Sequence, residues 1–186
     1  MLRTVVTSLE SVSPYSQSQK IRSPKEPRET SADHEKRCWK ERCHVNDKGN
    51  VFIPPMAFKN CLAEAAKYLG MQIPGKGKAT YTKHVEAGVL VLEGLTLPQK
   101  IDDVEGEWLF LPADGKRGSG KRVDKCYPLF REWKGDLLWH ILDDAITPDV
   151  FETHIREAGN FIGIGRFRPR NNGYYGRFKV TDIEWQ

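Results

Sequence analysis

The chain has 186 residues and a formal net charge of +4 at pH 7, with 39% hydrophobic and 29% charged residues. These proportions are typical of a globular protein and exclude a fibrous or wholly disordered chain. The length predicts one domain spanning residues 1–186. No apolar stretch is long enough to span a bilayer, and the N-terminus lacks the apolar core of a signal peptide. We therefore expect a cytoplasmic protein without a membrane partner, whose four cysteines are reduced thiols.

The positive charge is concentrated in two segments that contain no acidic residue. Residues 163–179 carry five basic residues and residues 116–122 carry four, so the rest of the chain is net acidic. Two basic patches on an acidic body predict an anionic partner that binds at defined places.

The first part of the chain predicts a strand, a long loop and a short helix. Residues 2–9 alternate and are rich in Val and Thr, as in a strand. Residues 13–31, rich in Ser, Pro, Gln, Lys and Arg, predict a long exposed loop. Asp33 is expected to cap a helix that runs to about Cys43, followed by the NDKGN turn and a short strand at residues 51–53.

The clearest helix spans residues 55–69. Its apolar residues recur at three- and four-residue spacing, Pro55 suits the first turn, and Gly70 suits the end. Residues 73–83 predict a hairpin tip, and residues 85–92 predict an apolar strand.

The central part of the chain predicts strands around a flexible loop. Residues 108–111 predict a strand, and residues 113–122, with three glycines, predict a flexible basic loop. Strands at residues 123–133 and 136–142 flank a Lys134-Gly135 step and predict a hairpin.

A second helix is predicted from Pro148 to Ala158, because Thr147 can cap its start and Gly159 can end it. A final strand is predicted at residues 174–183.

Without the insertions, the order of elements is strand, helix, strand, strand, helix, strand. This order predicts an α+β fold of the ferredoxin-like or RRM-like type, in which an antiparallel sheet carries two helices on one face. Long loop insertions are expected at about residues 13–50 and 94–122. The other face of the sheet is then open to solvent or to a ligand.

The segment GIGRFRPRNNGYYGRF, residues 163–178, has the composition of a nucleic-acid contact. Its glycines permit close backbone approach, its arginines offer forks for phosphates, and its aromatic rings offer stacking faces. If the backbone is extended, Arg166, Arg168 and Arg170 share one face and suit a line of phosphates. The alternative is a tight turn with solvated arginines and with aromatic rings in the core.

The chain resembles the RAMP superfamily in two places, the IPP step at residues 53–55 with the helix after it, and the segment AGNFIGIGRFRPRNNGYYGRFKV. That superfamily includes subunits of CRISPR effector complexes, its domain is RRM-like, and its backbone members polymerise along RNA with a thumb-like loop gripping it. The resemblance implies that residues 13–31, with Lys20 and Arg22, occupy the thumb position. It also implies that residues 163–178 form the glycine-rich loop.

Metal and cofactor chemistry is not indicated. His34, Cys38, Cys43 and His44 have the side chains of zinc ligands but not the spacing of a zinc site. We therefore expect no metal and no cofactor.

Two alternative functions remain open. A RAMP-like endoribonuclease would use Asp33 or His34 as general acid or base. The neighbouring Asp143 and Asp144 are better explained by a solvated turn. A structural or inhibitory protein would use the basic patches to bind an acidic partner surface.

The sequence as a whole favours a protein that binds single-stranded RNA or DNA in a prokaryotic cell or a phage-infected host. We expect it to act as a homo-oligomer along the strand or as a subunit of a nucleoprotein complex, and we assign no catalytic residue. The candidate nucleic-acid contacts are basic and aromatic residues of three segments: Arg166, Arg168, Arg170, Arg177, Lys179, Tyr174, Tyr175, Lys116, Arg117, Lys121, Arg122, Lys20 and Arg22.

Overall fold

The computed structural model describes residues 2–116, 118 and 120–186. In chain order, its strands and helices are β1 (Arg3–Ser11), β2 (Tyr15–Ser16), α1 (Ser31–Cys38), β3 (Asn50–Ile53), α2 (Pro55–Leu69), α3 (Thr82–Gly88), β4 (Val89–Leu90), β5 (Leu95–Lys100), β6 (Glu105–Pro112), β7 (Arg122–Phe130), β8 (Lys134–Ile141), α4 (Pro148–Glu157) and β9 (Phe178–Trp185). Short 3-10 turns lie at Trp39–Arg42, Ile101–Asp103 and Pro169–Asn171, and a π-turn lies at Ala158–Ile162. No helix among the described residues is long and apolar enough to cross a membrane.

The main sheet has four strands in the order β4-β8-β1-β9, and every neighbouring pair is antiparallel. Along the chain, these strands and the two main helices follow one another as β1, α2, β4, β8, α4 and β9. This chain order, combined with that strand order, is the arrangement of a ferredoxin-like fold. Trp139 of β8 packs against Phe151 of α4 with ring centroids 5.5 Å apart. Phe58 of α2 packs against Phe178 of β9 at 6.3 Å. The predicted α+β fold is confirmed.

The two main helices, α2 and α4, begin at the residues that the sequence predicts. α2 begins at Pro55, buries one apolar face, and ends at Gly70, whose φ is +56°. α4 follows Thr147, whose hydroxyl accepts a hydrogen bond from the N–H of Val150 at 3.4 Å. Their buried residues join one hydrophobic core with the inner face of the main sheet.

β6 and β7 form a long hairpin that leaves the main sheet. They pair in unbroken register from Glu105 to Pro112. The base of the hairpin is held by β2 and by α1, whose buried Glu35 accepts a hydrogen bond from the N–H of Cys126 at 2.9 Å. Its outer half leaves the ring of Phe110 exposed.

The predicted hairpin between residues 123–133 and 136–142 is wrong. β7 pairs with β6 and β2, whereas β8 pairs with β1 and β4. Between them Trp133 is buried, and its carbonyl accepts from the N–H of Ser11 at 2.8 Å, where the chain passes from one sheet to the other. A Lys-Gly step marks a turn without specifying which strands the turn joins.

The first half of the strand predicted at residues 85–92 is helix. α3 runs to Gly88, and only the two residues of β4 pair with β8. The ammonium group of Lys59 on α2 donates to the carbonyls of Val85 and Glu86 at 2.7 Å each. These bonds satisfy acceptors at the end of α3, so a contact from another helix supports the helical state.

The loop predicted at residues 13–31 is exposed only in its later part. Tyr15 and Gln17 are buried. The side-chain amide of Gln17 donates to the carbonyl of Phe52 at 2.7 Å and accepts from the N–H of His44 at 2.8 Å. These long-range hydrogen bonds bring a polar segment into the core, which its composition did not predict.

The first helix and the last strand also have different ends from those expected. The hydroxyl of Thr30 accepts from the N–H of Asp33 at 3.1 Å, so Thr30 is the cap of α1. The helix ends at Cys38 and continues as a 3-10 turn instead of running to Cys43. The last strand begins only at Phe178, because the residues before it belong to a folded turn.

Candidate nucleic-acid interface

Residues 163–176 form a compact turn, named here the glycine-rich turn, that lies against the segment containing β2. The N–H of Gly176 donates to the carbonyl of Pro14 at 2.8 Å, and the N–H of Ile164 donates to the carbonyl of Gly176 at 3.0 Å. Gly176 has φ +80°, and a β-carbon at this position would overlap the carbonyl of Ile164. Glycine is therefore required here by both the backbone angle and the space.

The backbone of the glycine-rich turn is not continuously extended from Arg166 to Arg170, although Arg168 itself is extended. Phe167 has φ +52°, and Pro169–Asn171 form a 3-10 turn. Arg166, Arg168 and Arg170 consequently have different surroundings, and the expectation that an extended backbone places them on one face is wrong.

Arg166 joins the glycine-rich turn to the β6–β7 hairpin. Its guanidinium donates to the carboxylate of Glu107 at 2.9 Å and to the hydroxyl of Ser16 at 3.1 Å. It lies 4.1 Å from the ring centroid of Tyr127 and 5.0 Å from that of Tyr175. Only 13% of the side chain is exposed. The contacts of Arg166 are those of a structural ion pair.

The two tyrosines of the turn also differ. The hydroxyl of Tyr175 donates to the carboxylate of Glu107 at 2.6 Å, and burial together with this hydrogen bond raises the pKa of Tyr175. The ring of Tyr174 is 62% exposed. Of the predicted tyrosine contacts, Tyr174 is thus the one presented to solvent.

Arg168 and Arg170 converge on a single carboxylate of α2. Arg168 Nη2 lies 2.5 Å from Oε1 of Glu64, and Arg170 Nε lies 4.0 Å from Oε2 of the same residue. Together with Lys67 and Asn171, they line a surface depression of about 370 Å³. Lys67 also pairs with Glu86 at 2.6 Å, so three cations stand against two carboxylates. The remaining positive charge suits a phosphate group.

Two further depressions continue from this one. The second, of about 310 Å³, shares Arg168 and lies between the segment following β2 and the start of α2. The third, of about 400 Å³, shares Gln19 and His44 with the second. We name the three together the basic groove, whose cations are Lys20, Arg22, Lys67, Arg166, Arg168 and Arg170. Five of these six were predicted contacts, and Arg166 is the one whose guanidinium is occupied by Glu107.

Sequence reasoning missed Glu64 and Lys67. The helical pattern indicates that both face away from the core, but it contains no signal for the turn that packs beside them. The charged stripe on α2 was the only local signal that could have suggested them.

The other predicted contacts lie outside the lining of the basic groove. Lys116, Lys121 and Arg122 are at the tip of the β6–β7 hairpin, and Arg117 lies outside the described residues. Each strand residue advances about 3.3 Å, so the end of β6 lies roughly 16 Å beyond Glu107, the partner of Arg166.

The two basic residues near the last strand have local partners. Arg177 Nε donates to the carbonyl of Asn160 at 3.2 Å, and Lys179 Nζ lies 3.2 Å from the carboxylate of Glu10. Neither lines the basic groove.

The open face of the main sheet has acidic side chains at its centre. In the register of the sheet, Ser8 of β1 lies between Asp136 of β8 and Asp182 of β9. In the next row, Val6 lies between Leu138 and Glu184. These carboxylates would repel phosphates. The basic groove, rather than this open face, is therefore the surface that suits a nucleic acid.

The side chains considered for nuclease chemistry are engaged in local structure. Asp33 accepts from the hydroxyl of Thr30 at 2.6 Å, and His34 Nε2 lies 2.8 Å from the carbonyl of Ser23. Among residues 2–116, 118 and 120–186, no group of three or more His, Cys, Asp and Glu side chains could hold a metal ion.

One histidine–carboxylate pair was not anticipated from the sequence. His84 Nδ1 lies 2.6 Å from Oδ2 of Asp143. The N–H of Ala145 donates to the carboxylate of Asp143 and, as the largest contribution, lowers its pKa. Asp143 is thus part of an ordered turn that holds the imidazole.

No family model and no curated protein matches the sequence. Among solved structures, the chain is similar to a chain in the cryo-EM structure of the Type III-B Cmr-beta bound to cognate target RNA, with 10% identity and a TM-score of 0.52. This alignment covers 99% of the present chain and 60% of the Cmr-beta chain, so the present chain spans less than two thirds of that protein.

Two further structures align more loosely. The crystal structure of Cmr6 from Pyrococcus furiosus has 10% identity and a TM-score of 0.48, covering 97% of this chain and 99% of that one. A chain of a CRISPR RNA-guided surveillance complex has 9% identity and a TM-score of 0.39, covering 100% of this chain and 68% of that one. At this level of identity, the Cmr-beta alignment establishes similarity of fold alone.

Proposed function

We propose that this chain is a RAMP-type subunit of a nucleoprotein complex, a single domain that binds single-stranded RNA in the basic groove. The observation that carries the proposal is the convergence of Lys20, Arg22, Lys67, Arg168 and Arg170 on three adjoining depressions. These cations come from three separate segments of the chain. RNA is preferred to DNA because the solved structure of similar fold was determined with target RNA.

The groove is suited to a flexible strand more than to a duplex. Its depressions are small, with volumes of about 310 to 400 Å³, and neighbouring depressions share lining residues. A single strand can bend to place successive phosphates in such depressions, whereas a duplex presents a stiff surface with fixed phosphate spacing. The acidic open face of the sheet restricts the strand to the groove side of the molecule.

The exposed cations of the groove provide a direct test. Replacing Lys20, Arg22 and Arg170 with alanine removes three charges without touching a buried pair. Affinity for a short single-stranded RNA should fall by at least roughly tenfold, equivalent to about 1.4 kcal/mol. Fluorescence anisotropy with the full chain measures this change.

A matched triple variant controls for net charge. Lys48, Lys78 and Lys134 are exposed and do not line the groove, so their replacement by alanine changes the total charge equally. This control should retain affinity within roughly twofold. Equal losses in the two triple variants would contradict a defined groove. A denaturing gel of the same mixtures should show intact RNA, and a cleaved product would favour the endoribonuclease instead.

A further inference from the structure

Two exposed aromatic rings stack on each other beside the basic groove. The ring centroids of Tyr68 and Phe161 are 5.5 Å apart, and the ring planes are inclined by 29°. The two side chains are 56% and 48% exposed. Such a pair leaves much of its apolar surface in contact with water, although burial in the core would be more favourable.

The π-turn brings Phe161 to this position. The N–H of Gly163 donates to the carbonyl of Ala158 at 2.9 Å, the five-residue spacing of a π-turn. Ala158 and Ile162 of the turn are fully buried, whereas Phe161 faces outward. At Gly159 a β-carbon would lie 2.9 Å from the ring of Phe178, so the π-turn packs closely on β9. The turn is therefore anchored on the core side while it presents Phe161 to solvent.

Tyr68 lies on the same face of α2 as Glu64, which lines the depression shared with Lys67, Arg168 and Arg170. It follows Glu64 by four residues, so the two side chains are neighbours on the helix surface. Long side chains on a helix lean toward its N-terminus, which directs the Tyr68 ring toward Glu64. Glu64 is the carboxylate that holds Arg168 at 2.5 Å. The aromatic pair thus borders the end of the groove formed by Lys67, Arg168 and Arg170.

We propose that the Tyr68–Phe161 pair is a stacking platform for an unpaired nucleobase of the strand whose phosphates occupy the adjoining depression. This inference rests on the proposed function, because it requires a strand in the basic groove. Every nucleobase has a flat face that can extend an aromatic stack, and cations beside the stack position the sugar–phosphate chain. The platform accordingly binds without selecting a particular base.

Two probes separate base stacking from phosphate binding. One is a short single-stranded RNA, and the other is an abasic sugar–phosphate oligomer of the same length and charge. In the full chain, the double variant Tyr68→Ala with Phe161→Ala should lose roughly tenfold in affinity for the RNA. Its affinity for the abasic oligomer should stay within roughly twofold of the original chain.

Two further variants control for aromatic chemistry and for position. Tyr68→Phe keeps the ring and should retain RNA affinity. Phe110→Ala removes a ring that is 60% exposed on the β6–β7 hairpin and should leave RNA affinity unchanged. Equal thermal melting temperatures of all variants show that the fold is kept.

A measurement on the unaltered chain makes the test independent of any substitution. Photo-crosslinking of an RNA that carries iodouracil, followed by mass spectrometry, should place a crosslink on Tyr68 or Phe161. Crosslinks confined to other residues, unchanged RNA affinity in the double variant, or equal losses on both probes would each overturn the platform while leaving the groove intact. If the unaltered chain binds neither probe, the proposed function fails and the platform fails with it.

Discussion

Arg166 and Arg170 belong to the same turn but have opposite surroundings. The side chain of Arg166 is 13% exposed and bonded to Glu107, whereas that of Arg170 is 56% exposed and lies 4.0 Å from its nearest carboxylate. Arg166→Ala leaves a partly buried carboxylate without its guanidinium, so the free energy of unfolding should fall by about 2 kcal/mol.

Arg170→Ala serves as the comparison for this prediction. Its free energy of unfolding should change by less than about 0.5 kcal/mol, while its RNA affinity falls. Denaturant unfolding and anisotropy on the two variants measure both quantities. If Arg166→Ala leaves stability unchanged, the structural assignment of Arg166 is wrong.

His154 makes stability depend on pH. The side chain is 1% exposed, and its Nδ1 lies 2.6 Å from the carbonyl of Val150, whereas Nε2 has no partner among the described residues. Burial lowers the pKa of this imidazole from 6.5. The unfolded chain therefore binds a proton at higher pH than the folded chain. The contribution of neutral His154 to the free energy of unfolding is fully present above about pH 6.5. It is lost as the pH falls from there toward the pKa of the folded chain.

His154→Gln removes this titration. Between about pH 8 and pH 5, the free energy of unfolding should decline less in the variant than in the original chain. The two slopes should differ by at most about 1.4 kcal/mol per pH unit. Burial also lowers the pKa of His44, and that contribution remains in both proteins. Parallel pH profiles of the two proteins would refute the assignment to His154.

At the scale of elements, the glycine-rich turn depends on Gly176. A β-carbon there is opposed both by the φ of +80° and by the carbonyl of Ile164. Gly176→Ala should therefore lower the free energy of unfolding by about 3 kcal/mol and weaken RNA binding, because Arg168 and Arg170 lose their support.

Gly115 offers a matched control for this substitution. Its φ is +72°, but nothing lies within 4 Å of where a β-carbon would be. Gly115→Ala should cost only about 1 kcal/mol, the cost of the backbone angle by itself. Denaturant midpoints of the two variants give the comparison, and similar losses would mean that packing against Ile164 contributes nothing.

At the scale of the whole molecule, charge is divided between two surfaces. Besides Arg166, which is paired with Glu107, five cations line the basic groove together with the carboxylates of Glu41 and Glu64, so about three phosphates can be bound. The logarithm of the affinity should then fall against the logarithm of salt concentration with a slope of about −2. In the triple variant of Lys20, Arg22 and Arg170, the slope should be less steep by about 2. A slope near zero for the original chain would exclude phosphate binding as the main source of affinity.

The sequence by itself determined the elements whose signals are local. Proline at the start, glycine at the end and a regular apolar face specify α2, and a capping hydroxyl with Pro148 specifies α4. Together with alternating strands at both ends of the chain, these signals were sufficient for the ferredoxin-like order. Arg168 and Arg170 could likewise be selected as candidates from composition, whereas Lys20 and Arg22 were candidates through the resemblance to the RAMP superfamily.

Only the tertiary structure decided which of these residues meet. Arg168 and Glu64 are 104 positions apart in the chain, and Arg166 and Glu107 are 59 apart. The same is true of β7, whose partner is β6 rather than the nearer β8. Pairing of strands and of charges depends on packing between distant segments, whereas caps and periodicity act within a few residues. For that reason the pattern of the chain predicted α2, α4 and the order of the main elements. The fold alone determined that Arg166 is a partly buried residue paired with Glu107, while Arg168 and Arg170 meet at Glu64.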